Sequence, residues 1–172
     1  MRLVKRVLIF LIVLYIGVIV FMPKKQLYYF AEKSLNDKYG VVISNEDISS
    51  TPLSLNINHA LIFAQGLQVA RVANAKVLPL LFVNKVELED IELANMAKQF
   101  INVSISSLRA KESILNPYII DIDAVGNFGI IKGYANLKSR VLHLDLVEVK
   151  DANSLKKFFK KGKKGWFYES KF

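Results

Sequence analysis

From Val7 to Met22 the chain runs without a single charged side chain, closed by Lys5 and Arg6 on one side and by Pro23, Lys24 and Lys25 on the other. These sixteen residues, helical at about 1.5 Å each, cover only about 24 Å. Leu3 and Val4 bring the segment to about 20 residues and 30 Å, a bilayer's hydrocarbon thickness, with Lys5 and Arg6 reaching out to the headgroups. A secretory signal peptide also pairs a basic start with an apolar stretch, but it ends in small residues at the cleavage site. Here the run ends Val18-Ile19-Val20-Phe21-Met22-Pro23, bulky throughout. The pattern predicts an uncleaved anchor over residues 1–25. More positive charge before the span than after it favours an inside N-terminus and an exported remainder.

Past Pro23 the pattern changes. Leu27, Tyr28, Phe30, Ala31, Leu35 and Tyr39 recur at three- and four-residue spacing, and Gly40 follows as a stop signal, which predicts a helix over Lys24–Tyr39. Tyr28, Tyr29 and Phe30 either lie in the membrane interface or pack onto the following domain. From Val41 onward the period drops to two. Leu53, Leu55 and Ile57 alternate with Ser54, Asn56 and Asn58. Val86, Leu88 and Ile91 interleave with Glu87, Glu89, Asp90 and Glu92, and Ile101, Val103 and Ile105 with Asn102, Ser104 and Ser106. The clearest stretch is a three-strand meander: Tyr118–Asp123 into a Gly126-Asn127-Phe128-Gly129 corner, back along Ile130–Leu137, and through Lys138-Ser139 into Val141–Leu146.

Two segments depart from this rhythm. Val77 to Val83 is apolar on every side and holds Pro79, which argues against a central strand and for a short helical or looped plug. Near the end, Asn153 or Ser154 would cap a short helix with Leu155, Phe158 and Phe159 on one stripe and Lys156, Lys157, Lys160 and Lys161 around it. The fold class expected is mainly β: one transmembrane helix, a short helix, then a twisted, curved antiparallel sheet over a single domain, 26–172, with a short C-terminal helix.

The formal charge of +9 changes little once it is located. Residues 1–25 carry +5, residues 26–150 net −1, and residues 151–172 +5. A nearly neutral body lacks the pervasive basic face of a nucleic-acid binder, so no nucleic-acid partner is expected. Six lysines between Lys156 and Lys164, followed by Trp166, suit either a solvated end with a closing strand or an anionic membrane surface. With no cysteine there is no disulfide framework and no thiolate nucleophile.

The chemistry of an enzyme does not assemble. Asp121-x-Asp123-x-x-Gly126 opens like a calcium loop, but Val125 stands at the fifth position and Lys132 at the twelfth, where ligands are required. His59 and His143 fall in no metal or triad frame. No catalytic residue, metal or cofactor is expected. An acyl chain needs only a continuous apolar channel, and alternating strands supply one, with Ile120, Ile122, Leu142, Leu144 and Leu146 as the candidate lining.

The order of anchor, short helix, amphipathic strands, Pro-Leu-Leu segment and the phrase Val86-Glu-Leu-Glu-Asp-Ile-Glu-Leu93 resembles the AsmA-like proteins of Gram-negative envelopes. The size and the ending, Asp151 to Phe172, look most like the type II secretion system protein N family, a small relative. The resemblance implies a single inner-membrane span, a periplasmic sheet with an apolar concave side, and a role in phospholipid transport or in outer-envelope and secretion assembly. It brings no catalytic residues. The alternative is a structural subunit or scaffold of a secretion or similar envelope machine, contacting protein partners without binding lipid.

Overall fold

The computed structural model describes residues 2–99, 101–150, 155, 158–162 and 165–172. Helix α1 spans Arg2–Phe21 and is long and apolar enough to cross a membrane. It stops because Pro23 drives the residue before it out of helical geometry. Helix α2 starts directly afterwards, Lys24–Tyr39. The Lys24 ammonium, although buried, donates to the Ile19 carbonyl at 2.8 Å, neutralising the negative end of α1 at the elbow. Gly40, at φ 63°, closes α2 by donating to Asn36 and Leu35 carbonyls, the left-handed stop its sequence implied.

The remaining chain forms one open antiparallel sheet. Its strands are β1 (Val41–Ser44), β2 (Asp47–Ser50), β3 (Leu55–Ala64), β4 (Leu67–Pro79), β5 (Val83–Leu93), β6 (Ser104–Ser113), β7 (Asn116–Gly126), β8 (Gly129–Asn136), β9 (Val141–Val149), β10 (Lys160–Gly162) and β11 (Gly165–Lys171). A one-turn helix, α3 (Asn95–Lys98), sits in the β5–β6 connection. The spatial order is β1-β3-β4-β5-β6-β7-β8-β9-β11-β10, with β2 also paired to β3. From β3 to β9 each strand therefore lies beside its chain neighbour, the topology that short polar turns favour.

Alternation sorts side chains onto two faces. On the inner face one transverse row runs Leu55, Val77, Val86, Ala110, Ile122, Gly133, Leu144, Tyr168, and the next runs Ile57, Ala75, Leu88, Leu108, Ala124, Ile131, Leu146, Trp166. The outer face carries Lys76, Glu87, Arg109, Asp123, Lys132 and Asp145 across six strands, a row in which each charge faces its opposite. In four strands the alternation slips by one residue on a common line: Ile57 to Ala60, Val72 to Ala75, Leu88 to Ile91 and Ile105 to Leu108 all face inward. His59 and Asp90 on that line take positive φ, 58° and 50°. The register from β3 to β6 stays unbroken across this line, and a bulge falls at its end between β6 and β7, at Ile105 and Ser107.

The inner face is covered at its two ends. Tyr28 of α2 packs on Leu55, Ile57, Ala60, Val72 and Ala75. At the other end Leu155 and Phe159 lie over Ala124, Phe128, Ile131 and Leu146. Phe128 belongs to the β7–β8 corner, yet it is the most deeply buried large side chain, 2 % exposed. Its ring fills the space a side chain at Gly126 would need, so that glycine is obligatory.

Three expectations are corrected and one strand is new. The Val77–Val83 plug is the β4–β5 hairpin: Pro79 ends β4 opposite Asn84, at a strand terminus where its missing N–H breaks no ladder. The expected C-terminal helix falls partly on residues outside the described ones (Asn153, Ser154, Lys156, Lys157). Its described part is a single turn, Phe159 N–H to Leu155 C=O at 3.2 Å, after which Lys160–Gly162 pairs with β11 as strand. Asp47–Ser50, which carries no alternating apolar pattern, is strand β2. Residues 101–103, expected in a strand, precede β6.

Candidate apolar groove on the inner face

Between its two covers the inner face is open. Along β5, β6 and β7 the inward residues Leu88, Leu108 and Ile122 are only half-buried. A groove of about 370 Å³ runs from β6 and β7 across to β9 under the edge of the Leu155–Phe159 cover, within the range of small-molecule sites. Its floor is Leu108, Ile122, Ala124 and Leu144, and one wall is Phe158 and Phe159. Ile101 and Val103 rise from the loop before β6 to close the far end, and Tyr168 supplies the single hydroxyl among the lining side chains. Asn127 holds that loop in place: its amide donates to the Asn102 carbonyl at 2.9 Å, and its oxygen accepts from the Ser104 amide at 3.1 Å.

All five residues proposed from the sequence share this face. Ile122 and Leu144 line the groove. Leu146 lies beneath Phe159 in the packed cluster. Ile120 and Leu142 flank Ala135 in the next row towards the β8–β9 turn, continuing the apolar surface beyond the groove. The alternation did not reveal Phe128, Phe158 or Phe159, which reach the face from corners and turns. It also passed over Leu108, because polar Arg109, Lys111 and Glu112 mask its strand.

Of the proposed anionic-membrane residues, three are described, and Lys161 pairs directly with Trp166. Lys160 and Lys161 are exposed on β10, an edge of the sheet. Trp166 is half-buried on the inner face opposite Leu146. Lys156 and Lys157 lie outside the described residues.

The outer face neutralises the acidic residues that drew notice in the sequence. Glu87 accepts from Lys85 at 2.7 Å and from Arg109 at 3.2 Å, which holds its carboxyl below the usual range, the Lys85 hydrogen bond contributing most. Asp121 faces Lys111 in register and Asp123 faces Arg109 and Lys132. His143 stacks between Tyr134 and Phe167 and contacts Glu169 at 3.1 Å and Asp145 at 3.3 Å. Among the described residues no three His, Cys, Asp or Glu side chains gather where a metal could be held.

Under α2 the polarity is less comfortable. The Tyr28 hydroxyl is buried and meets no hydrogen-bond partner among the described residues. Burial, and then the charges of Glu46 and Glu32, push its pKa upward. Glu32 is raised in turn, by burial first and by Glu46 second. No family model, curated protein or solved structure matches the chain.

Proposed function

We propose that this is a non-enzymatic protein of the bacterial inner membrane, its sheet exported to the periplasm, whose inner face receives the acyl chain of a phospholipid. In this reading it acts in lipid transport or in outer-envelope and secretion assembly, as an AsmA-like or secretion protein N-like component. The observation that carries it is the groove: a half-open apolar strip with almost no polar lining, on a sheet tethered to a helix long enough to cross a bilayer. Such a strip offers a hydrocarbon chain burial without demanding directed hydrogen bonds. Chain entry has a path, because Ile120 and Leu142 extend the apolar surface from the groove towards the turns nearest α1. The alternative, a scaffold that recruits partners by strand addition, would use the sheet's edges. Those edges are short, four residues each in β1 and β2 and three in β10, and β10 presents Lys160 and Lys161, devices that discourage pairing.

The test uses the full chain in vesicles containing a phospholipid with a photoreactive acyl chain. Adducts mapped to Leu108, Ile122 or Leu144, and lost in a groove-filling Ile122→Trp variant, support the reading. Adducts confined to α1 would overturn it.

A further inference from the structure

The end of the sheet nearest α1 differs from the other end in what its turns are made of. The β4–β5 tip is Leu80-Leu81-Phe82, the β6–β7 tip is Ile114-Leu115, and the β8–β9 tip begins at Leu137. Leu115 is 93 % exposed, Phe82 54 %, Ile114 53 % and Leu137 45 %. At the opposite end the β3–β4 tip is Gln65-Gly66, and the β7–β8 corner turns Phe128 inward. Backbone hydrogen bonds join the apolar tips: Ile114 N–H to Phe82 C=O at 2.9 Å, and Leu137 N–H to Tyr118 C=O at 2.7 Å. Lys138 and Arg140 follow Leu137 in its turn, and no acidic residue occupies the three tips.

The β4–β5 tip is also attached to α1. Tyr15 donates its hydroxyl to the Leu80 carbonyl at 2.6 Å, and its ring lies 5.0 Å from that of Phe82. Tyr15 is six residues before the end of α1, about 9 Å along the helix axis. A hairpin tip at that depth beside a membrane-spanning helix lies inside the leaflet. There, backbone groups must find partners within the protein. Several at this tip do: Leu80 N–H bonds Leu78 C=O at 3.1 Å, Phe82 N–H bonds Leu80 C=O at 2.7 Å, and Phe82 C=O accepts from Ile114. The turn that achieves this is a tight γ-turn centred on Leu81 at φ 64°, a strained form in which glycine or asparagine costs less. An apolar residue is kept in the strained position, as hydrocarbon surroundings require.

We infer that these hairpin tips are a second membrane contact, seated in the leaflet nearest the domain, with Lys138 and Arg140 at its headgroups. Two contacts hold the sheet at a set angle to the bilayer, which a single helix cannot do. The inference rests on α1 crossing the membrane, and the experiment separates the two claims. The chain has no cysteine, so single variants of the full-length protein carry one fluorophore each: Leu115→Cys, Leu137→Cys, Ile12→Cys in the span, and Met96→Cys in α3 at the far end. The protein is reconstituted in mixed phosphatidylethanolamine and phosphatidylglycerol vesicles, with nitroxide quenchers on the acyl chains or iodide in the water. The expected result is lipid quenching at Leu115, Leu137 and Ile12, with Met96 quenched by iodide alone. Quenching at Ile12 but not at either tip would overturn the seat and leave the span standing. A silent Ile12 would remove the span and the seat with it. A tip label shielded from iodide yet untouched by lipid quenchers would mean that another protein, such as a second copy, covers the tips, and would also overturn it.

Discussion

The same strands build two faces of opposite character, one residue apart. On β9, Leu144 points into the apolar groove, while His143 lies in an aromatic and carboxylate stack on the other side. The outer face needs no cover, because its alternating charges satisfy one another and water. The inner face is too wide for the chain's own covers. Helix α2 shields one end and the Leu155–Phe159 turn the other, leaving the strip over β5 to β7 half-exposed. The largest test of this contrast is Leu144→Asp, which strands a carboxylate among Phe158, Phe159 and Tyr168 and costs about 2–4 kcal/mol. His143→Thr loses the stack and two polar contacts but keeps a strand-favouring residue, so its cost is about 1 kcal/mol. Chemical denaturation of both variants measures the difference. Equal losses would mean that both faces are packed and would remove the groove.

How much of this was legible in the sequence follows from where each signal originates. Period-two alternation in Ile120, Ile122, Leu142 and Leu144 placed all of them on one face, because strand geometry is local. Gly40 and Lys24 gave the limits of α2 for the same reason. Asp47–Ser50 did not show as a strand, since Ile48 is its only large apolar residue and its pairing with β3 is a long-range fact. Nor did the tip at Leu80–Phe82 show as a hairpin, because it has neither glycine nor asparagine and its contacts with Tyr15 of α1 span over sixty residues of sequence. The groove's Phe158 and Phe159 fall on the apolar stripe expected of a short helix, but their described part is a single turn, and no local pattern shows that it covers the sheet. Elements were readable, whereas the covering of one element by another was not.

A smaller effect tests the outer face. Lys132 stands in register between Asp123 and Asp145. Lys132→Glu would align three carboxylates across adjacent strands, and like charges directly opposite destabilise by about 0.2–1 kcal/mol each. The loss shrinks as salt rises, because these side chains face water. A Lys132→Glu loss indifferent to salt would show that the outer face is not the solvated, charge-paired surface its register describes.

The smallest effect lies where the two characters meet, at Glu32 on α2. Burial first and Glu46 second raise its carboxyl pKa, so the folded state favours the neutral acid more than the unfolded chain does. Above the raised pKa the ionised Glu32 therefore costs stability. As pH falls through that value the cost declines, and it is gone below the ordinary Glu range, where both states are protonated. Glu32→Gln removes the charge at every pH. It is expected to raise the melting temperature slightly at pH 7.5, by an amount limited by the partial exposure of the site, and to leave it unchanged near pH 3. If Glu32→Gln lowered stability at pH 7.5, the carboxylate would be a favourable partner of the Ile43 amide, the one group that draws its pKa down, and α2 would cover the sheet through polar bonding as well as through Tyr28.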